Sequence, residues 1–328
     1  MPQAAVVGAP STRARVRAML LALGVLWLAL AWQSGGVFLS PRNLLNLAVQ
    51  ASPVAVMACA MVLVIAARQI DLSVGSVLGF TGMVIAGLQV EDGLLAAPIP
   101  WPLALLAGLA LATAIGAWHG AWVAYARLPS FVATLAGLLI FRGAAWLVSD
   151  GRTLAPLDER YARIGGGLSG TIAGVPLPLF VLAAVALGVH VLATRTRFGR
   201  HVFAIGGNPL AAELAGIDVR SVTLRAFALS GALAGVAAVL ITARLGAGTN
   251  SMGSQAELAV IAAAVLGGTS LAGGSGSVGG ALLGALWMQS LENGMVLLDV
   301  TSALRQVVIG LVLLAAVAAD ARARASAR

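Results

Sequence analysis

Long runs of apolar residues recur along this chain, and they constrain its fold more than any single motif does. A run of roughly 20 apolar residues can cross the hydrocarbon core of a bilayer as one helix. We place spans at about 18–33, 46–67, 74–90, 101–125, 130–148, 174–194, 223–243, 257–267, 277–296 and 303–319. We therefore predict an all-α polytopic membrane protein with about ten transmembrane helices, some of them broken, because a β-barrel would show short alternating strands instead.

The charged residues are few, and all the basic ones are arginine. They make up 10% of the 328 residues, against 60% for apolar residues, whereas about 25% of a soluble domain is charged. The net charge of +8 comes from arginines at the edges of the apolar runs rather than from one basic patch, which argues against nucleic-acid binding. With no lysine in the chain, a P-loop lysine is excluded, so any ATP must be bound by another chain.

The arginines are unevenly divided between the two sides of the predicted bundle. If the N-terminus is cytoplasmic, ten spans return the C-terminus there too. The cytoplasmic segments then hold thirteen arginines: Arg13, Arg15, Arg17, Arg68, Arg127, Arg195, Arg197, Arg200, Arg220, Arg225, Arg322, Arg324 and Arg328. The outer segments hold Arg42, Arg152, Arg160, Arg163, Arg244 and Arg305, and also the acids Glu91, Asp92, Asp150, Asp158, Glu159, Glu257, Glu292 and Asp299. The positive-inside rule favours this orientation, with both termini cytoplasmic.

This topology divides the chain into three parts. Residues 1–16 form a cytoplasmic N-terminal tail, residues 17–320 a single transmembrane domain, and residues 321–328 a cytoplasmic C-terminal tail. The single Cys59 lies inside an apolar run and cannot form an intrachain disulfide. No catalytic or metal-binding residues are predicted, because His119, His190 and His201 are scattered without a second histidine at metal-ligand spacing.

Two polar, small-residue segments interrupt the apolar pattern. The first is 70–76, with the sequence Ile-Asp-Leu-Ser-Val-Gly-Ser, and the second is 267–277, which is rich in Gly, Ser and Thr. Lipid cannot satisfy the backbone groups that such breaks expose, so each break must face protein, water or a substrate path. The stretches 72–77 and 273–278 both end in Gly-Ser-Val and open an apolar span, which is consistent with either an internal duplication or chance.

The link 195–222 carries the signature of a short helix outside the membrane. Asn208 is a good N-cap, Pro209 suits the first helical position, and Gly216 is a natural stop. Such a helix is either a docking surface for a partner or a surface element that merely joins two spans. Its apolar anchors for docking would be Leu210, Leu214 and Ile217.

Here the chain resembles a known family. Ala211, Ala212 and Gly216 match the EAA loop of ATP-binding-cassette (ABC) importer permeases, although Leu210 stands where that loop has Glu. The stretches 69–76, 204–209, 215–217 and 266–274 are similar to those of the ribose/xylose/galactose-type sugar permeases, and together they cover about residues 43–290. Arg-Asn-Leu-Leu-Asn-Leu at 42–47, Phe-Arg-Gly at 141–143 and Gly-Arg-Thr at 151–153 resemble the xylose-type subgroup most.

The resemblance implies how the protein works. It implies a multi-pass permease subunit in the bacterial inner membrane, paired with a second permease copy. A cytoplasmic ABC ATPase would bind ATP and Mg²⁺, so this chain needs no cofactor of its own, and a periplasmic sugar-binding protein would deliver the substrate. The resemblance assigns ATPase coupling to Gly206, Gly207, Asn208, Pro209, Ala211, Ala212, Glu213 and Gly216.

A path for neutral, hydroxyl-rich sugars needs amide and hydroxyl groups rather than charge. We predict that the translocation path or its gate includes Asp71, Ser73, Gly75, Ser76, Asn46, Gln50, Thr269 and Ser270. Asp71 either contacts sugar directly or forms a structural or gating pair with Arg68, three residues earlier.

Three functions remain open at this point. The chain is an ABC permease importing a monosaccharide, such as xylose, ribose or a related hexose, by alternating access; an ion-coupled secondary transporter; or a scaffold for other subunits. The few intramembrane acids argue against the second, and the polar breaks argue against the third.

Overall fold

The computed structural model describes residues 12–167 and 170–325. Within them lie thirteen α-helices: α1 Thr12–Gln33, α2 Pro41–Ala66, α3 Val74–Gly87, α4 Trp101–Ala124, α5 Ser130–Ser149, α6 Glu159–Ala162, α7 Leu177–Arg195, α8 Arg197–Gly207, α9 Pro209–Leu214, α10 Val219–Leu245, α11 Ala256–Leu266, α12 Val278–Leu297 and α13 Ser302–Ala325. Two 3-10 turns lie at Val37–Leu39 and Arg163–Gly165, and strands β1 Thr171–Ile172 and β2 Val175–Pro176 pair as an antiparallel hairpin.

The all-α membrane fold is confirmed, and each of the ten predicted spans coincides with a helix. Six helices are long and apolar enough to cross a membrane: α1, α2, α4, α5, α7 and α10. Helices α3 and α11 and the stretch Ser302–Ala318 are apolar but shorter. Of the predicted tails, residues 1–11 and 326–328 lie outside the described residues, while α1 and α13 extend into the remainder. The count of ten spans stays a prediction.

Helices α2 and α10 form the centre of the bundle. They bury 83% and 72% of their apolar windows, whereas α1, α4, α5 and α7 bury only 11–28%. The peripheral helices expose large apolar side chains, among them Leu28, Leu139, Leu147 and Leu187. In a membrane these faces contact lipid, so their exposure is compatible with a stable fold.

Glycines bring α4 and α10 into close contact. A Cβ on Gly116 would overlap the Phe227 carbonyl, and one on Gly231 would overlap the Ala112 carbonyl. Small residues let membrane helices approach backbone to backbone, where van der Waals packing replaces the hydrophobic drive.

The bundle has two recognisable ends. Helices α8 and α9 lie at one, which we call the α9 end. The β-hairpin and residues 150–167 of the link before it lie at the other, which we call the hairpin end. The pairing of Leu154 with Gly248 holds this link to the segment after α10, and the buried Tyr161 hydroxyl contacts Thr242. Burial raises the pKa of Tyr161, which keeps the phenol neutral.

Helices α3 and α11 are half-helices that meet head to head inside the bundle. With 14 and 11 residues, they are about 21 and 16 Å long, less than the roughly 30 Å of a bilayer core. The irregular segment 246–255 runs antiparallel to α3, because Gly248 packs near Ala86 and Gly253 near Gly75. Helix α11 then starts beside Gly75 and runs to the α9 end. We call this meeting of the two N-termini the half-helix crossing.

Candidate functional site

The short helix α9 forms as the local signals predict. The Asn208 side chain accepts from the Ala211 N–H at 3.1 Å, Pro209 opens the helix, and Gly216 follows it with φ +83°. Leu210 and Leu214 are 66% and 81% exposed, although they are large and apolar. An exposed apolar pair on a helix projecting from the bundle suits docking to a partner.

The residues just before the first break and the loop of the second break both contact the end of α8, directly before α9. Arg68 donates through Nε to the Gly206 carbonyl at 2.8 Å and through Nη2 to the Gly207 carbonyl at 2.9 Å. The Gly274 N–H donates to the Ala66 carbonyl at 2.9 Å. We call this cluster of Ala66, Arg68, Gly206, Gly207, Gly273 and Gly274 the junction.

The junction is packed backbone against backbone. A Cβ on Gly206 would overlap both the Ala66 carbonyl oxygen and the Gly274 nitrogen, and a Cβ on Gly273 would overlap the Arg68 side chain. Three parts of the chain that are far apart in sequence are therefore in direct contact here: the end of α2, the end of α8 and the loop after α11.

Asp71 is buried in a hydrogen-bond network rather than paired with Arg68. One carboxylate oxygen accepts from the Ser73 N–H at 2.9 Å and the Ser73 hydroxyl at 2.6 Å, and the other accepts from the Ser230 hydroxyl at 2.7 Å. Arg68 has φ +62° and therefore lies outside the helix, so the three-residue spacing does not bring the two groups together. The expected Arg68–Asp71 pair was wrong for that reason.

Neighbouring helices support the same segment. The Ile70 and Leu72 N–H groups donate to the Ser130 and Thr134 hydroxyls of α5 at 3.1 and 3.0 Å. The Ser73 hydroxyl also lies 3.5 Å from Nδ1 of the buried His119. The first break is thus satisfied by protein, as its polar sequence requires.

Replacing Asp71 with alanine removes the acceptor for three donors, two on Ser73 and one on Ser230. We expect Asp71→Ala to lower the free energy of unfolding by about 2–3 kcal/mol, and Asp71→Asn to cost less because its amide oxygen still accepts. Denaturant unfolding in detergent measures both, with the exposed Glu91→Ala as a control. Equal stability for wild type and Asp71→Ala would contradict this role.

The half-helix crossing contains a buried acid that the topology places outside the membrane. Glu257 is only 9% exposed and stands in the first turn of α11, and its Oε2 has no hydrogen-bond partner among the described residues. Arg142 of α5 donates to the Met252 and Gly253 carbonyls at 2.8 and 3.0 Å, so these two carbonyl groups of the irregular segment have hydrogen-bond partners. Glu257 was assigned to an outer segment, and the structure adds that its side chain is buried at the crossing.

The predicted path residues fall into three places. Asp71, Ser73, Gly75 and Ser76 are buried between the first break and the crossing. Thr269 and Ser270 lie in the loop after α11, where Thr269 is fully buried and the Ser270 N–H donates to the Ser275 carbonyl. Asn46 and Gln50, one turn apart on α2, line two neighbouring cavities on another face of α2.

Several polar residues of the site were not predicted to belong to it. Ser230, Thr134 and His119 contact the first break only because α10, α5 and α4 surround it, and helix packing is not readable from one sequence. Arg142 and Glu257 had a signal, since a charge inside or beside an apolar run is costly unless it has a use.

Comparison with known proteins gives a consistent picture. A family described as branched-chain amino acid transport system / permease component matches residues 43–317. The chain is 38% identical to the xylose transport system permease protein XylH of Escherichia coli, covering 95% of this chain and 93% of that protein. It is 40% identical to the ribose import permease protein RbsC of Escherichia coli, covering 86% and 87%. The XylH protein of Haemophilus influenzae is 38% identical, covering 94% and 97%. No solved structure matches the chain significantly.

Proposed function

Since this chain belongs to the family of branched-chain amino acid transport system permease components, and within it to the ribose/xylose-type ABC sugar permeases, we propose that it carries a monosaccharide into the cytoplasm by alternating access. The family makes it a multi-pass inner-membrane protein of bacteria whose partners are an ATPase and a substrate-binding protein. The proposed substrate is a pentose such as xylose or ribose, or a related hexose.

The observation that carries the mechanism is the junction. The exposed helix α9 continues directly from Gly206 and Gly207, whose carbonyls Arg68 holds. Arg68 in turn begins the irregular segment that leads through Asp71 to α3. A displacement of α9 by an ATPase can therefore be transmitted to the half-helix crossing, first through the hydrogen bonds of Arg68 and then through the short segment that follows it.

The predicted orientation, with both termini in the cytoplasm, assigns a side of the membrane to each partner. The α9 end faces the cytoplasm and receives the ATPase, which supplies ATP and Mg²⁺ sites. The hairpin end faces the periplasm and receives the sugar-binding protein. A second copy of this chain completes the membrane pore, and the lipid-facing helices surround the pair.

Reconstitution tests the function directly. In proteoliposomes that contain the ATPase and the binding protein, we expect sugar uptake to require ATP. Uptake by this chain alone, driven by a proton gradient without ATP, would contradict the proposal and favour an ion-coupled transporter.

Helix α9 offers a variant that separates docking from folding. Leu214 is 81% exposed, so Leu214→Asp costs little stability but places a charge where an apolar contact is expected. We expect at least about a tenfold weaker association with the ATPase, measured by co-purification, and a matching loss of uptake. Leu95→Asp, at an exposed leucine in the loop before α4, is the control and keeps wild-type association.

A further inference from the structure

A cavity of about 450 Å³, with polar and apolar walls, lies between α2, α10, α12 and the start of α11. Its α12 wall carries Gln289, Glu292 and Asn293, which lie on one face of the helix because they are three and four residues apart. Gln50 reaches it from α2 and Arg244 from the last turn of α10. The volume falls within the range of about 300–1,000 Å³ that is typical of small-molecule sites.

The polar groups of this wall are held in place before any ligand binds. Gln289 donates to Glu292 Oε2 at 3.0 Å. Asn293 and Asn43 exchange amide hydrogen bonds at 2.9 and 3.2 Å, and Asn43 also donates to the Phe38 carbonyl at 2.8 Å. Gln289 and Asn293 are buried at 7% exposure. Fixed polar groups lose little conformational entropy when they bind a ligand.

Apart from Gln50 and Ser52, the opposite wall is apolar, and the charges are balanced. Val49, Pro53, Val54, Met57 and Leu78 line it. Glu292 and Arg244 contribute one negative and one positive charge. Amide and carboxylate groups on one side suit hydroxyls, an apolar surface on the other suits the C–H face of a ring, and balanced charge favours a neutral ligand.

We propose that this cavity is the site where the permease holds a neutral monosaccharide within the membrane. Gln50, Gln289 and Glu292 bind its hydroxyls, and Asn43 positions Asn293. The assignment rests on the proposed function. It adds residues of α12 and α10 to the path residues that were predicted from the sequence.

A second cavity of about 460 Å³ adjoins the first on the hairpin side. Val49 and Arg244 line both cavities, while Asn46 of α2 and Thr171 of the hairpin line only the outer one. Sugar released at the hairpin end therefore meets Asn46 first and passes Arg244 to reach Gln50. In this route Arg244 stands at the boundary between entry and binding.

Thiol labelling tests occupancy of the cavity. Cys59 is the chain's only cysteine and is buried, so Cys59→Ala gives a background for Ser254→Cys, whose exposed parent serine lines the cavity. We expect D-xylose or D-ribose, at about ten times its Kd, to slow labelling by a water-soluble thiol reagent about 10-fold. Ser251→Cys, exposed but outside the cavity, is the control and labels at the same rate with sugar. Unchanged labelling of Ser254→Cys with either sugar overturns the proposal.

Coupled transport separates this inference from the proposed function. With ATPase and binding protein present, we expect Gln50→Leu and Glu292→Gln to transport about tenfold less sugar per ATP hydrolysed, while Gln89→Leu, outside the cavity, keeps the wild-type ratio. Wild type without ATP-dependent uptake would refute the function itself. Normal uptake by wild type with unchanged ratios in both cavity variants would refute the site alone. Equal losses of uptake and ATPase activity would make these residues structural and also refute it.

Discussion

Replacing Gly206 with alanine is expected to abolish ATP-driven sugar uptake while leaving ATPase docking intact. The added Cβ would overlap the Ala66 carbonyl oxygen and the Gly274 nitrogen, both backbone atoms that cannot rotate away. The end of α8 must then withdraw from α2 and from the loop after α11. The two Arg68 hydrogen bonds to Gly206 and Gly207 lengthen as a result.

The expected cost of Gly206→Ala in unfolding free energy is about 1–3 kcal/mol, the usual range for overpacking. The expected loss of uptake is larger than this destabilisation explains, because the junction is the link between α9 and the breaks. Uptake, ATPase activity and co-purification with the ATPase should be measured on the same sample. Gly279→Ala, where a Cβ has open space at the start of α12, is the matched control. Wild-type uptake per ATP in Gly206→Ala would disprove the coupling route.

A methyl group at Gly75 is expected to disrupt the half-helix crossing. It would overlap the Gly253 carbonyl oxygen and Glu257 Oε2. The glutamate side chain can rotate, but the carbonyl belongs to the backbone that Arg142 holds. We therefore expect Gly75→Ala to lower the free energy of unfolding by about 1–3 kcal/mol, and the pair Gly75→Ala with Glu257→Ala not to restore it.

Thermal unfolding in detergent and uptake in proteoliposomes measure this prediction. Gly143→Ala adds the same methyl group to α5 where a Cβ has open space, so it should unfold like wild type. Restoration of stability by the second substitution would show that the glutamate, rather than the backbone contact, fixes the crossing.

Local signals in the sequence were sufficient for the elements that depend on few residues. The cap at Asn208, the proline start and the Gly216 stop specify α9 wherever the helix lies. The apolar runs specify the helices because lipid requires every backbone group to be bonded within a helix. These predictions needed no knowledge of which helices are neighbours.

The crossing could not be predicted in the same way. Residues 246–255 resemble an outer loop, and only the packing against Gly75, Gly79 and Gly82 places them inside the bundle. Glu257, at the start of a predicted span, and Glu292, near the end of another, were assigned to the outside by the ten-span topology. Asn46 and Gln50 were predicted to line the path, but Gln289 and Arg244 opposite them depend on how α10 and α12 pack.

The half-helix crossing also constrains how the protein can be made. Helix α3 is too short to enter the bilayer as an independent span, and its glycine face is covered by residues 246–255, which the ribosome adds roughly 170 residues later. Its final depth is therefore reached only after α10 and α11 have been synthesised. Membrane insertion of this permease cannot proceed strictly one helix at a time from the N-terminus, because α3 must wait for the later part of the chain.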